Sequence, residues 1–124
     1  MRGKKGDVAC LQKIIMNCEY IKRTIENPNV NHDKFVDEGY NGARDLCAFY
    51  VGQIGEYVKN LTDELKGKHP EVLWAQIAAL RNRIVHDYDS VNYDLLWRIL
   101  TVSIPELKEQ CRAILSELDS GAKE

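Results

Sequence analysis

Four residues with the capacity for phosphate chemistry lie close together in the sequence: Arg81, Asn82, His86 and Tyr88. An imidazole that titrates near neutrality can accept and return a proton, and a guanidinium is a permanent cation whose planar fork matches phosphate oxygens. These groups suffice for metal-free cleavage of RNA, in which the ribose 2′-hydroxyl attacks the neighbouring phosphate. The alternative, from the residues alone, is an exposed polar helix end with ordinary Arg–Asp pairs.

The motif falls at the end of a predicted helix, which must position its side chains. Asn82 lies four residues before His86, so its amide can orient the imidazole from the same helical face. The helix dipole, Asp87 and Asp89 all favour the charged form of His86. Arg81, five residues before His86, lies about 140° away around an ideal helix. The two converge only if Arg81 reaches around, the helix loosens at its end, or a second subunit completes the site.

The predicted fold is all-α, because apolar residues recur at helical spacing along nearly the whole chain. Asp7 is the expected N-cap of the first helix, which Asn27-Pro28-Asn29 ends. Asp33 is the expected cap of a second helix, whose apolar face extends from Phe35 to Leu61. Four glycines inside it (Gly39, Gly42, Gly52 and Gly55) predict a close approach to another helix.

The second half of the chain predicts two further helices. Residues 66–70 form a turn, and Pro70 suits the first position of the third helix, which frays near residues 87–90. Asn92 or Ser90 caps the last, whose apolar stripe continues through Pro105 and predicts one long helix kinked there, with two separate helices as the alternative. Short connections between four long helices predict an antiparallel bundle.

Composition limits the classes of protein to which the chain can belong. Its 124 residues suit a single domain, 1–124, with residues 1–6 expected to fray. The net charge of −2 gives no overall attraction to nucleic acid, so RNA contact must come from a local cluster of basic residues. No apolar run is long enough for a signal peptide or a membrane helix, and a cytoplasmic protein is expected. The cysteines Cys18, Cys47 and Cys111 fall on or beside apolar stripes, which predicts buried small side chains.

The segment from Trp74 to Tyr88 resembles the signature of the HepT-like ribonucleases, which are HEPN-domain toxins paired with MNT-type minimal nucleotidyltransferase antitoxins. Arg81, Asn82, His86 and Tyr88 match the named places of the family pattern R-N-x-x-x-H-x-Y. The resemblance extends to Gln53-Ile54-Gly55-Glu56, Leu61, Trp97 and Ile104-Pro105-Glu106-Leu107, so it covers most of the chain.

The resemblance implies a HEPN-type helical bundle that forms a homodimer, with two motif copies facing one cleft. It implies metal-independent endoribonuclease activity without a cofactor, with Arg81 and His86 as the catalytic pair and Asn82 in support. It also implies that the partner nucleotidyltransferase adds AMP to Tyr88 and silences the toxin. Because the net charge is slightly negative, RNA binding must depend on a few candidates beside the motif: Arg83, Lys66, Lys68 and Arg98.

Two other functions fit the same sequence. In the first, the bundle is a non-catalytic helical partner module that binds and regulates a minimal nucleotidyltransferase. In the second, it is a plain helical dimer that binds a nucleotide or another small ligand through Arg81. Cleavage of RNA by the purified chain distinguishes the ribonuclease from both.

Overall fold

The computed structural model describes residues 4–37, 39 and 42–123, and within these ranges every regular element is helical. This confirms the all-α prediction. Within the same ranges, no helix combines the length and the apolar character needed to cross a membrane. The elements, in chain order, are α1 (Lys4–Ile25), α2 (His32–Val36), α3 (Gly42–Asn60), α4 (Asp63–Lys68), α5 (Trp74–Asp87), a 3₁₀ turn (Tyr88–Ser90), α6 (Tyr93–Arg98), a π-helical turn (Ile99–Ser103) and α7 (Ile104–Lys123).

One core joins the long helices, because α3 packs against both α1 and α5, and α7 packs against α1. The predicted burial of Cys18, Cys47 and Cys111 is confirmed, and burial raises the pKa of each thiol to about 12. At neutral pH these side chains therefore act as small apolar groups. The fully buried side chains include Leu11, Ile14, Ile21, Val51, Ile54, Val58, Leu96, Leu100 and Ile114.

Asp7 has a different role from the predicted N-cap. Because α1 begins at Lys4, Asp7 lies inside the helix, where it is buried and accepts hydrogen bonds from the backbone N–H (2.9 Å) and the hydroxyl (2.6 Å) of Thr62. Thr62 in turn caps α4. The sequence predicts a frayed start over residues 1–6, whereas Lys4–Gly6 are helical in this structure and residues 1–3 lie outside the described ranges.

The second predicted helix is divided into two, α2 and α3. Asn31, rather than Asp33, caps α2, and its side chain accepts a hydrogen bond from the backbone N–H of Lys34 at 2.9 Å. The buried Arg44 then donates to two backbone carbonyls at and just beyond the end of α2, at 2.7 and 2.6 Å. These bonds satisfy carbonyls that a continuing helix would have used, so the chain turns before α3 begins.

The third predicted helix begins later than expected. A short helix, α4, occupies most of the predicted turn, and Pro70 lies in the turn that follows it. The buried Trp74 begins α5 and donates its indole N–H to the carbonyl of His69 at 3.0 Å, which holds this turn against the core. The predicted end is confirmed, because α5 stops at Asp87.

The last helical run starts at the predicted cap, since Asn92 accepts a hydrogen bond from the backbone N–H of Leu95 at 3.1 Å. The run then continues to Lys123, with the π-helical turn immediately before Pro105. A proline at this point cannot donate to the carbonyl of Thr101, which fits an irregular turn here. The kink and the four-helix antiparallel arrangement stay predictions.

Candidate active site

The motif lies along α5 and the 3₁₀ turn that follows it. Arg81, Asn82 and His86 belong to α5, which stays regular through Asp87, and Tyr88 is the first residue of the 3₁₀ turn. The end of α5 therefore does not loosen before His86, and the offset of about 140° between Arg81 and His86 is retained. His86 occupies the last turn, where the carbonyl end of the helix dipole favours a cation.

Arg81 is held against α3. Its side chain is 21% exposed, one of its terminal nitrogens lies 3.2 Å from Glu56 Oε2, and the other donates to Asn82 Oδ1 at 3.1 Å. Glu56 Oε2 is buried without a hydrogen bond to the described residues, so the guanidinium is its compensating charge. Arg81 is thereby fixed in position before any substrate binds.

The close approach predicted from the glycines occurs at Gly55. A Cβ atom at this position would overlap Arg81 Cβ and lie 2.7 Å from Arg81 Cγ. The absence of a side chain at Gly55 therefore lets the base of Arg81 lie directly on α3. The prediction does not extend to Gly52, where a Cβ would meet nothing within 4 Å.

His86 is on the outer surface of α5. It is exposed, and within the described part of the chain its ring makes no hydrogen bond or ion pair. Asn82, the predicted support for His86, accepts instead from Arg81. One chain thus brings Arg81 and Asn82 together but leaves His86 apart from both, so the remaining route to a joint site is the second subunit.

Tyr88 contacts the start of α3, at the opposite end of that helix from Glu56. Its hydroxyl donates to Asp45 Oδ1 at 2.8 Å, and its ring centroid lies 6.2 Å from that of Tyr93. Burial, with the hydrogen bond to Asp45, raises the pKa of Tyr88 to about 12, although the nearby Arg44 opposes the shift. Arg44 also stacks over the Tyr93 ring at 3.7 Å. Tyr88 is therefore a half-buried, hydrogen-bonded phenol rather than a freely exposed one.

Sequence reasoning missed Asp45 and Glu56, the two carboxylates of α3 that hold the motif. They are eleven residues apart, close to three helical turns, so they share one face of α3. Of their partners, Arg81 lies within α5, and Tyr88 begins the 3₁₀ turn that follows Asp87. Because Glu56 meets Arg81 and Asp45 meets Tyr88, α3 and α5 run in opposite directions where they pack.

We expect Asp45→Asn to lower the pKa of Tyr88 from about 12, because it removes the carboxylate that favours the protonated phenol. An ultraviolet titration, with Tyr88→Phe subtracted to isolate this residue and circular dichroism to confirm folding, measures the shift. Since tyrosine in an unfolded chain has a pKa near ~10, Tyr88 stabilises the fold below that pH and loses this contribution as the pH rises towards 12. An identical midpoint in both proteins would contradict the hydrogen bond.

The basic residues predicted to bind RNA lie in three places. Arg83 is exposed on α5 and donates to the carbonyl of Ser90 at 3.2 Å, close to the end of the motif. Lys66 and Lys68 are on α4, which follows the end of α3 that is farther from Asp45. Lys68 forms an ion pair with Glu64. Arg98 is exposed on α6. The structure thus associates Arg83 with the motif helix and places the two lysines elsewhere.

The described residues hold no cluster of three or more histidine, cysteine or acidic side chains arranged to bind a metal ion.

A family model described as "HepT-like: Ribonuclease HepT-like" matches residues 15–114, a span that contains the whole motif and all of α3 and α5. The chain belongs to the HepT-like ribonuclease family. For this HepT-like chain, membership confirms the resemblance based on Arg81, Asn82, His86 and Tyr88, and it supports a ribonuclease activity.

Relatives of this HepT-like chain include "Putative RNase TTE0752" of Caldanaerobacter subterraneus subsp. tengcongensis, 32% identical over 107 residues that cover 86% of this chain and 92% of that protein. "Putative RNase MJ0127" of Methanocaldococcus jannaschii is 33% identical over 66 residues, 53% of this chain and 54% of its own length. "Probable ribonuclease HepT" of Thermococcus cleftensis is 38% identical over 55 residues, 44% of this chain and 50% of its own length. No solved structure matches the chain.

Proposed function

We propose that this chain is the toxin of a HEPN/MNT toxin–antitoxin pair, a metal-independent endoribonuclease that uses Arg81 and His86 in the cleft of a homodimer. The observation that carries the proposal is the arrangement on α5. Arg81 is fixed through Glu56 at the boundary with α3, whereas His86 projects from the outer surface of the same helix. A cation and a proton-transfer group are therefore both available on one helix of a ribonuclease-family fold.

The reaction needs one bond to form and one to break. The ribose 2′-oxygen attacks the adjacent phosphorus, while the imidazole of one His86 accepts the 2′-hydroxyl proton. The bond from phosphorus to the 5′-oxygen breaks, and the protonated His86 of the second copy supplies the proton that this oxygen needs. The products are a 2′,3′-cyclic phosphate and a 5′-hydroxyl. Arg81 stabilises the negative charge that accumulates on the phosphate oxygens in the transition state.

The geometry of a single chain supports the homodimer in this proposal. Arg81 and His86 lie about 140° apart on a helix that stays regular, and no described residue bridges them. A two-fold axis that brings two α5 helices together would place each exposed His86 in a cleft with the other copy's motif. Asn82 would then hold Arg81 in place, as its hydrogen bond to the guanidinium indicates.

Regulation by the MNT-type nucleotidyltransferase completes the proposed system. Addition of AMP to Tyr88 would place a negative charge just beyond the end of α5 that carries the motif, where it would compete with RNA phosphate and obstruct the cleft. The Tyr88 hydroxyl, to which AMP would be attached, donates a hydrogen bond to Asp45, so the modification has to break this hydrogen bond. The proposal therefore includes a local rearrangement at the start of α3 when the toxin is silenced.

The test of this function in the cell is the expression of the wild-type chain beside His86→Ala. We expect the wild type to arrest growth and degrade RNA together, because an unopposed endoribonuclease destroys essential transcripts, and we expect His86→Ala to do neither. Growth curves and total-RNA electrophoresis follow both effects in the same cultures, with immunoblots to match expression. Growth arrest without RNA cleavage would contradict the proposal and favour a non-catalytic partner module. Equal cleavage by both chains would contradict the role of His86 in catalysis.

A further inference from the structure

The surface of α3 between the two anchored ends of the motif carries an exposed aromatic ring. Asp45, Phe49, Gly52 and Glu56 are spaced by four, three and four residues, so they form a single stripe along α3. Asp45 and Glu56, at the two ends of this stripe, contact α5. Phe49 and Gly52 therefore lie along the margin that α3 shares with the motif helix.

A matching stripe runs along α5. Arg81 and Val85 are four residues apart and share one face of α5, and Tyr88 is the first residue of the 3₁₀ turn that follows it. Since Arg81 pairs with Glu56 and Tyr88 bonds to Asp45, the two stripes lie side by side. We call the strip between these two pairs, formed by Phe49, Gly52 and Val85, the aromatic strip.

The aromatic strip is open to solvent. Phe49 is 58% exposed and Val85 is 52% exposed, and Phe49 is the most exposed aromatic side chain in the described ranges. In those ranges its one contact with another aromatic ring is with Tyr50, edge to face, with the centroids 5.9 Å apart. Gly52 adds open space, because a Cβ there would meet nothing within 4 Å. A flat partner can therefore reach the face of the Phe49 ring.

We propose that Phe49 is a stacking platform for a nucleobase of the RNA strand whose phosphate binds Arg81; this inference rests on the proposed ribonuclease function. The ring lies seven residues from Glu56, the partner of Arg81, which is about 10 Å along the helix. A flexible strand held by its phosphate at Arg81 can thus place a nearby base on the ring. The ring carries no charge, which suits a chain whose net charge is −2 and whose RNA contacts must combine few cations with stacking.

The stacking platform selects the class of RNA. A base reaches the Phe49 ring only when it is unstacked from its neighbours, as in single strands and loops, whereas bases inside a duplex stay stacked on one another. The substrate is therefore single-stranded beside the phosphate that Arg81 contacts. Aromatic stacking is tolerant of base identity, because every base presents a flat π-face. Phe49 therefore selects single-stranded over double-stranded RNA, and it does not select a particular base sequence.

The test measures binding of a single-stranded RNA oligonucleotide that carries a 2′-O-methyl group on every ribose and so cannot be cut. We expect Phe49→Ala and Phe49→Leu to bind it roughly tenfold more weakly or worse, and Phe49→Trp to restore binding. The control, Leu73→Ala, removes an equally exposed apolar side chain (59%) outside the strip and should bind normally. The same sequence as a duplex should bind weakly to all variants. With cleavable RNA, Phe49→Ala should raise KM far more than it lowers kcat.

Each other outcome has a definite meaning. Unchanged binding in Phe49→Ala, while the wild type still cuts RNA, would overturn the stacking platform and leave the ribonuclease intact. Loss of the dimer in Phe49→Ala with normal RNA binding in Phe49→Leu, as followed by sedimentation velocity and anisotropy, would show that the ring belongs to the subunit interface and would also overturn it. A wild type that neither binds nor cuts RNA would overturn the proposed function itself.

Discussion

Purified His86→Ala is expected to cleave RNA roughly 10²- to 10⁴-fold more slowly than the wild type, the usual cost of removing a general acid–base group. The ring is exposed at the end of α5 and makes no hydrogen bond or ion pair in the described part of the chain. Its removal should therefore leave the fold unchanged, so kcat should fall while the thermal unfolding midpoint stays the same. Initial rates with a labelled single-stranded RNA, beside calorimetry of both proteins, measure the two quantities.

Arg81→Lys is expected to lose roughly 10²- to 10³-fold in kcat, because an ammonium cannot reproduce the planar fork that stabilises the transition state. Arg112→Lys is the matched control and should keep the wild-type rate, since it makes the same change on α7, where Arg112 pairs with Glu19 and Glu109. A heterodimer of one wild-type and one His86→Ala chain should be nearly inactive if both copies serve one cleft. Retention of about half the wild-type rate per dimer would show that each chain acts alone.

Gly55→Ala is the second change with a large expected effect. The added methyl group would overlap Arg81 Cβ, so α3 and α5 must separate or Arg81 must move away from Glu56. We expect a loss of about 1–3 kcal/mol in the free energy of unfolding, the usual cost of an overpacked contact, even though alanine is the better helix former. Because Arg81 is displaced, kcat should fall together with stability. Urea unfolding and initial cleavage rates measure both.

Gly52→Ala is the control for this substitution, because it makes the same chemical change one turn earlier on the same helix. A Cβ at Gly52 meets nothing within 4 Å, so we expect this variant to gain up to about 1 kcal/mol in the free energy of unfolding from helix propensity. Because the guanidinium of Arg81 keeps its position in this variant, its kcat at saturating RNA should match that of the wild type. If both variants behaved alike, the close contact between Gly55 and Arg81 would not be what positions the guanidinium.

The long helices were predictable because their apolar faces are periodic, and both the end of α5 and the cap at Asn92 were placed correctly. The errors lie where a distant partner decides the local structure. Asp7 is a residue type that often caps helices, yet it accepts hydrogen bonds from Thr62, which is 55 residues away in the sequence. The division of the second helix depends on hydrogen bonds from Arg44 to carbonyls at the end of α2. The spacing of apolar residues in the sequence does not reveal these hydrogen bonds.

The candidate site was predictable in its residues but not in its contacts. The spacing of the motif placed Arg81 and His86 on one helix and indicated their separation around it. The partners Glu56 and Asp45 could not be identified from α5 alone, because each contact depends on how α3 packs against it. The role of Gly55 could not be predicted either, because Gly55 differs from Gly52 only in having the side chain of Arg81 packed against it.

Analysis of the RNA ends made by the purified chain in the presence of EDTA tests the ribonuclease mechanism most directly. We expect the wild type to cut single-stranded RNA under these conditions and to leave a 2′,3′-cyclic phosphate and a 5′-hydroxyl, whereas His86→Ala should leave the RNA intact. Cleavage that stops in EDTA, that yields a 5′-phosphate, or that continues at the wild-type rate in His86→Ala would contradict it.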